Sequence, residues 1–305
     1  MRRIICGFVL AVAAGAVCAA ASSQDVVELR LSSPNLKNES VQTVITRLKD
    51  PEGLCRSAAA RELGQRKVTQ AVAPLKELLS DPLHYVRVTA AEALLELGDR
   101  SGIALLREEV AAGSIRAFDA ARYLLAHGDN TGLQLVKSKL TSTRTVERSL
   151  AIGALSRSND EELVYSTLVG GLKDMDPSIR GQCIFRIGDL GTQRSVGLLK
   201  SLYPLVGSPS ERACLMQAAA RTGLWDAIPA LLEGLDDPEF LVRTNAATYL
   251  NLLTGQSKPV SVRDPERAKA LSQQWRQWWD ANKGSYPPGG RSDAPFLKSK
   301  DTWPF

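Results

Sequence analysis

Apolar residues recur three and four positions apart along most of the chain, which is the spacing of amphipathic α-helices. One such helix is marked by Val72, Leu75, Leu78 and Leu79. Between these segments lie others that carry runs of alanine, at residues 58–60, 90–91 and 246–247. Small side chains let neighbouring helices approach closely. The pattern therefore predicts pairs of short helices, in which helix A is rich in alanine and helix B has one apolar face.

The helical pairs recur at a nearly constant interval. An arginine marks each copy: Arg56, Arg87, Arg116, Arg148, Arg180, Arg212 and Arg243. Successive spacings are 31, 29, 32, 32, 32 and 31 residues. In five copies valine or isoleucine follows the arginine by 16 positions and leucine follows it by 19 or nearly so, so the register covers the whole repeat. Repeats of this length predict an all-α fold, an α-solenoid of about seven helical pairs over residues 22–256.

Capping residues indicate where the helices of each pair begin and end. Five helices A are preceded by Asp or Ser and then Pro, at Asp50-Pro51, Asp81-Pro82, Asp176-Pro177, Ser208-Pro209 and Asp237-Pro238. An oxygen at the N-cap accepts a backbone N–H, and proline fits the first helical position because it has none. Gly98, Gly191 and Gly223 stand 11 residues after their arginines. Glycine tolerates the left-handed conformation that ends a helix, so a tight turn is predicted there.

The segment from Val86 to Asp99 (VRVTAAEALLELGD) resembles the short HEAT-like repeat, also called the phycobilisome-lyase-type HEAT repeat. The first repeat, with Arg56, Leu63-Gly64 and Pro74-Leu75, is similar. The resemblance extends over about residues 40–256 and implies the fold without implying an activity. Tetratricopeptide and ankyrin arrays have close periods, but their signature sequences do not recur in this chain.

The recurrent arginine has two interpretations. It would form an anion-binding ladder, or it would lie along the core edge and pair with acids of the turns. Four turn acids are available for pairing: Asp50, Asp81, Asp176 and Asp237. We predict the structural role, because long arginine stems pack as well as pair.

Both ends of the array depart from the repeat. A leading helix within residues 38–49, with Val41, Val44, Ile45 and Leu48 on one side, is expected to cover the first repeat. Residues 257–283 contain a second such helix, which carries Trp275, Trp278 and Trp279 on one face. This ending resembles that of many exported bacterial HEAT-repeat proteins and implies a capping helix. An aromatic ligand platform is the alternative. The Pro-, Gly- and Ser-rich residues 284–305 are expected to form a mobile tail.

The first 21 residues have the features of a secretory signal peptide. Arg2 and Arg3 precede an apolar run over residues 4–17, and small residues follow, with cleavage expected near Ala20 or Ala21. Residues 4–21 are also just long enough to span a thin bilayer, so an uncleaved anchor is the alternative. Cleavage predicts a periplasmic or secreted protein without stable membrane insertion.

Removal of the signal changes what the charge indicates. Loss of Arg2 and Arg3 lowers the formal net charge from +5 to +3. Residues 257–305 hold nine Lys or Arg and five Asp or Glu, a net of +4, so the body carries about −1. A nucleic-acid-binding solenoid needs a basic stripe along the body, and we therefore expect no nucleic-acid partner.

No constellation of residues in the sequence indicates catalysis. Cys55, Cys183 and Cys214 match no zinc spacing. They are expected to be buried apolar side chains, with a Cys183–Cys214 disulfide as the alternative. Some HEAT-repeat hydroxylases bind di-iron through His-Glu pairs, but Tyr85 follows His84 and Gly128 follows His127. We predict no catalytic, metal or cofactor residues.

The sequence thus predicts an extracytoplasmic protein–protein interaction scaffold rather than an enzyme. Stacked helical pairs make an extended groove lined by successive helices B, where a protein partner would bind. The pattern does not identify the partner or the binding residues. The alternative is a HEAT-like lyase, or another small-ligand-binding enzyme or chaperone, that uses the same groove. That function requires a pocket with convergent polar groups.

Overall fold

The computed structural model describes residues 36–114, 116–260 and 263–294, together with residue 297. The predicted signal peptide, residues 1–21, lies outside the described residues. Within those ranges the regular structure is helical, with fifteen α-helices and one isolated antiparallel bridge between Leu224 and Arg291. This confirms the predicted all-α solenoid of helical pairs. None of the described helices has both the length and the apolar character needed to cross a bilayer.

The chain divides into two compact units, Met1–Val164 and Tyr165–Phe305. In unit 1 a leading helix α1 is followed by alternating helices A (α2, α4, α6, α8) and B (α3, α5, α7). Their bounds are α1 Val41–Thr46, α2 Gly53–Gln65, α3 Val72–Glu77, α4 His84–Glu96, α5 Ile103–Ala112, α6 Ala117–Ala126, α7 Leu133–Lys139 and α8 Thr145–Leu155. Helix α9, Glu161–Gly171, contains the boundary between the units.

Unit 2 continues the alternation of helices A and B. Its bounds are α10 Pro177–Leu190, α11 Gln193–Leu202, α12 Pro209–Arg221, α13 Ile228–Gly234, α14 Phe240–Thr254 and α15 Pro265–Asn282. The last helix matches the predicted tryptophan helix. It begins at an N-cap, Asp264, whose carboxylate accepts the backbone N–H of Arg267 at 2.9 Å.

The starts of helices A correct part of the capping prediction. Asp176 is the N-cap of α10, as expected, and Ser208 is that of α12. The carboxylates of Asp50, Asp81 and Asp237 accept the backbone N–H two residues later, at 2.8–2.9 Å, as the carboxylate of Asp176 does. The helices that follow the three nevertheless begin two residues after the proline, at Gly53, His84 and Phe240, so these aspartates are not their N-caps.

The ends of helices A follow the prediction. Backbone φ is positive at Gly98, Gly128, Gly191, Gly223 and Gly255. In the first repeat the same position is held by Lys67, with φ of 56°, the one non-glycine residue with positive φ in the described part of the chain. Gly188 has a different role, because a Cβ there would come within 2.8 Å of the Ala218 Cα. Close approach of α10 and α12 therefore excludes a side chain at this position.

The core of unit 1 lies between the two layers of helices. Its first part contains Val44 and Leu48 of the leading segment packed with Leu63, Leu75 and Leu94. A second part is formed around Leu106, Leu124, Val136 and Leu155. The leading helix thus covers the first repeat, as predicted.

Candidate functional site

The recurrent arginines close the turns that lead into helices A. In six of the seven repeats Nη1 of the arginine donates to the backbone carbonyls six and five residues earlier, at 2.7–3.3 Å. These arginines are Arg56, Arg87, Arg148, Arg180, Arg212 and Arg243. The repetition of one contact explains why the residue type recurs.

In Arg56, Arg180 and Arg212 the other edge of the guanidinium group joins neighbouring repeats. Arg56 binds Asp81 through two hydrogen bonds, Nε–Oδ2 at 2.7 Å and Nη2–Oδ1 at 3.0 Å. Arg180 reaches Glu211 through the same two nitrogens. Burial alone would raise the pKa of Asp81, but hydrogen bonds from Arg56 and from the Leu83 N–H outweigh it and lower that pKa. Paired contacts of this kind hold the arginines inside the fold, which supports the structural interpretation.

Arg243 lies in the last repeat and forms no such contact among the described residues. Its Nε is buried and has no hydrogen-bond partner among the described residues, and neither does the Thr244 hydroxyl beside it. The corresponding groups of the first repeat, Arg56 Nε and Ser57 Oγ, bind Asp81 and Thr89 of the second. Both groups therefore occupy positions that face a following repeat elsewhere in the array.

A groove on the helices B of unit 2 is the candidate binding site. It has a volume of about 710 Å³ and is bordered by α11 and the turn after it, by α13 and by α15. We call it the B-helix groove; its lining residues are Gly197, Lys200, Ser201, Tyr203, Pro204, Glu233, Asp236 and Arg276. A Cβ at Gly197 would meet no atom within 4 Å, so the groove is open above this residue.

The charges of the B-helix groove are partly paired. Arg276 donates through Nη2 to Asp236 at 2.5 Å and to the Leu232 carbonyl at 3.1 Å. The Tyr203 hydroxyl donates to Asp237 at 2.7 Å, and burial together with this bond raises the pKa of Tyr203. Lys200 and Glu233 are exposed and form no ion pair within the described residues. The groove thus presents one free positive and one free negative group.

Within unit 2, the tryptophan helix α15 packs against α13. Trp275 is fully buried, and Arg276 bonds to the Leu232 carbonyl of α13. Trp278 and Trp279 are half-buried, and their rings contact Tyr286 at centroid distances of 5.7 and 5.6 Å. The capping interpretation therefore holds for Trp275, whereas Trp278 and Trp279 belong to an aromatic cluster with Tyr286.

The residues considered for chemistry are dispersed. His84 Nε2 lies 2.5 Å from Glu109, and His127 Nδ1 donates to the Tyr123 carbonyl at 2.9 Å. No group of three His, Cys, Asp or Glu side chains in the described residues is placed to hold a metal ion. Cys183 and Cys214 are free thiols, so the disulfide alternative is not realised. Burial raises the pKa of Cys183 to about 12.

Comparison with known proteins identifies HEAT repeats in the first part of the chain. Residues 41–126, from the start of α1 to the end of α6, match the family model described as HEAT repeats. The helical pairs that follow continue the same architecture, so the chain has a HEAT-like α-solenoid fold. No curated protein matches the chain.

The solved structures that are similar to the chain at low identity include the following three. Human deoxyhypusine hydroxylase in complex with glycerol is 22% identical over 76% of this chain and 90% of its own, with a TM-score of 0.36. The complex of CpcE and CpcF of phycocyanin lyase from Nostoc sp. PCC7120 is 18% identical over 80% and 96%, with a TM-score of 0.42. An engineered protein is 19% identical over 70% and 96%, with a TM-score of 0.32. Similarities of this size carry no argument about activity.

Proposed function

We propose that this chain is a scaffold outside the cytoplasm that binds another protein in the B-helix groove and catalyses no reaction. The observation that carries the proposal is the pair of exposed, unpaired charges, Lys200 on α11 and Glu233 on α13, in a groove left open at Gly197. A partner segment would lie over Gly197 and Pro204 and place an acidic group near Lys200 and a basic group near Glu233. Such complementary charges set the register and rate of association more than its affinity.

A small-ligand function finds less support in the same groove. A catalytic or ligand-binding pocket needs polar groups that converge on the ligand and are free to bind it. Asp236 is already paired with Arg276, and the Tyr203 hydroxyl is bonded to Asp237. We therefore keep the lyase-like or chaperone-like function as the alternative and favour protein binding.

The location outside the cytoplasm rests on the predicted signal peptide. Cell fractionation of the full-length chain, with N-terminal sequencing of the product, tests it. Export predicts a product in the periplasm or medium that starts close to residue 21. A chain with an intact Met1 in the cytoplasm would contradict the proposed location. It would not bear on the proposal that the B-helix groove binds a protein.

Site-specific photo-crosslinking tests the binding site. A photoreactive amino acid replaces Ser201 in the groove, and the matched control replaces Ser138. Both serines lie on the outer side of a helix B, and each donates to the carbonyl three residues earlier, at 2.8 and 2.7 Å. We expect a discrete protein adduct in the native envelope fraction from position 201 only. The double variant Lys200→Glu, Glu233→Lys should lose that adduct.

Position 138 and the charge-reversed variant are the two controls, and they distinguish specific binding in the groove from non-specific crosslinking. Equal adducts from positions 201 and 138 would show that the groove is not the binding site. Adducts at position 201 that persist in the charge-reversed variant would remove the role assigned to Lys200 and Glu233. Circular dichroism confirms that each variant is folded.

A further inference from the structure

The part of the tail that we expected to remain undocked lies in a cleft of unit 2. Two backbone hydrogen bonds form a short antiparallel pairing: Trp225 N–H donates to the Gly290 carbonyl at 3.0 Å, and Ser292 N–H donates to the Gly223 carbonyl at 2.8 Å. The Gly289 N–H donates to the Asp226 carboxylate at 2.7 Å. Residues 286–292 are thus bound through their main chain, as a peptide is when it adds a strand to a receptor.

Aromatic contacts fix the first part of this segment. The ring of Tyr286 meets the edge of Trp225 at a centroid distance of 4.8 Å and also contacts Trp278 and Trp279. Gly290 lies flat against the indole of Trp225, where a Cβ would approach Cδ1 to 2.6 Å. Only glycine fits at this point without moving the indole. The two prolines and two glycines that suggested a mobile chain therefore shape a close contact.

Arg291 anchors the other part of the segment. Its Nη2 donates to the carbonyl of Gly191, where α10 ends, and its Nη1 donates to that of Thr222, where α12 ends, at 3.4 Å. Helix C-termini carry partial negative charge and favour a cation. The Ser292 hydroxyl donates to the Leu253 carbonyl of α14 at 3.0 Å. The segment thus engages the ends of three successive helices A.

We propose that this turn cleft is a peptide-binding site that the chain's own tail fills in cis. The turn cleft is formed by Gly191, Thr222, Gly223, Trp225, Asp226, Trp278 and Trp279. Its ligand is a partner peptide with the chemistry of the tail: an aromatic residue, a Pro-Pro-Gly-Gly turn and an arginine. The elements of recognition are main-chain pairing, an aromatic clamp and a cation at helix C-termini, and none of them requires the ligand to be covalently attached.

The attachment explains why the cleft is filled by the tail. The segment follows α15 after one short turn, Lys283–Ser285, whose residues are exposed. A short tether gives a cis ligand a high effective concentration, which raises its apparent affinity by a factor of roughly 100 or more over that of the free peptide. A peptide in trans therefore enters only when the tether is cut or the cis contacts are weakened.

The test uses the full chain with a protease recognition sequence inserted between Gly284 and Ser285. The chain is cut under native conditions, the tail is allowed to exchange, and a fluorescent peptide of residues 285–294 is titrated while its anisotropy is recorded. We expect saturable binding to the cut chain and binding that is roughly 100-fold weaker to the uncut chain. Peptides with Tyr286→Ala or Arg291→Ala should each bind roughly tenfold more weakly.

A second variant keeps the proposal testable if cutting unfolds unit 2. In the uncut chain, Arg291→Ala weakens the cis segment and should let the unmodified peptide bind more tightly than it binds the unaltered chain. The proposal fails if neither the cut chain nor this variant binds the peptide better than the unaltered chain. It fails also if both variant peptides bind as well as the original. Dimers that form only through exchange of tails would support the cleft and identify a second copy as its ligand.

This inference does not depend on the proposed function. The turn cleft and the B-helix groove share no lining residue. Loss of crosslinking from position 201 would leave the peptide titration unaffected, and a failed titration would leave the crosslinking unaffected.

Discussion

Arg212 and Asp237 form a bidentate ion pair from one repeat to the next, with Nε–Oδ2 at 2.7 Å and Nη2–Oδ1 at 3.2 Å. Asp237 also accepts the Tyr203 hydroxyl at 2.7 Å and the Glu239 N–H at 2.8 Å. One buried carboxylate therefore joins the turn after α11, helix α12 and the start of α14.

The first prediction concerns this carboxylate. Removing one partner of a buried pair leaves the other unpaired, so Asp237→Ala should lower the free energy of unfolding by about 3–5 kcal/mol. Urea unfolding followed by circular dichroism measures it. The adjacent Asp236 is the matched control, because its pair with Arg276 is exposed, and Asp236→Ala should cost about 1 kcal/mol or less. Equal effects of the two substitutions would contradict the role given to the repeat-joining pair.

A second prediction compares equivalent arginines. Arg212 uses both guanidinium edges, whereas Arg243 uses only the edge that binds the carbonyls of Asp237 and Pro238, both at 2.7 Å. Arg212→Met should destabilise the protein by about 3 kcal/mol because it strands a buried carboxylate. Arg243→Met should cost about 1 kcal/mol or less, since it also removes a buried N–H that has no acceptor in the described part of the chain. Urea unfolding tests this: the midpoint of Arg212→Met should lie below that of Arg243→Met, and the reverse order would contradict the prediction.

The arginines show how far sequence reasoning reaches. Their spacing predicted the repeat, and two of the four turn acids expected as partners, Asp81 and Asp237, bind arginines 25 residues earlier. Arg180 instead binds Glu211, 31 residues later, which the sequence did not indicate. Arg291 is different: it binds Gly191, a hundred positions earlier, and occurs once. Lys200 and Glu233 were also missed, because exposed polar residues follow no period that distinguishes a binding surface from an ordinary one. Periodic, local contacts are readable from one sequence, whereas single long-range contacts are not.

A third prediction uses the left-handed position at the end of helix A. Lys67 adopts positive φ where other repeats have glycine, at an expected cost of about 1 kcal/mol. Its ion pair with Glu96 is exposed and contributes about 0.5 kcal/mol. Lys67→Gly should therefore stabilise unit 1 slightly. The reciprocal change Gly98→Lys should destabilise it by about 1 kcal/mol, and because a Cβ at Gly98 meets no atom within 4 Å, the cause is the backbone alone. Thermal melting tests both changes: the melting temperature should rise slightly for Lys67→Gly and fall for Gly98→Lys.

A fourth prediction concerns the pH dependence of unit 1. Burial, reinforced by Asp119 and opposed by Arg122, Arg61 and Arg116, raises the pKa of Glu92 to about 7. The folded state then holds a proton that the unfolded state releases above the ordinary glutamate pKa of 4.5. Stability contributed by this group is fully present below pH 4.5 and is lost as the pH rises through about 7. Glu92→Gln should remove the loss, which urea midpoints between about pH 4 and pH 8 would reveal. If the Glu92→Gln variant and the unaltered protein show the same dependence of stability on pH, Glu92 is ionised in the folded protein.

The last prediction concerns Trp275 and the helix that carries it. Trp275 is fully buried, and Trp275→Ala should cost about 3–5 kcal/mol through lost packing. Trp275→Phe is the control, and its cost should be smaller. It keeps an aromatic ring and removes an indole N–H that is buried and has no partner within the described ranges. Repeat arrays are held by nearest-neighbour contacts, so the loss of stability in Trp275→Ala should appear first in α14, as faster hydrogen exchange around Thr244 and Leu253.

Deleting residues 284–305 should also weaken α14, because the Ser292 hydroxyl donates to the Leu253 carbonyl. If hydrogen exchange in α14 is unchanged in both Trp275→Ala and the deletion variant, α15 and the segment after it do not stabilise the last repeat. The aromatic side chains of α15 would then be better explained as a surface for a partner.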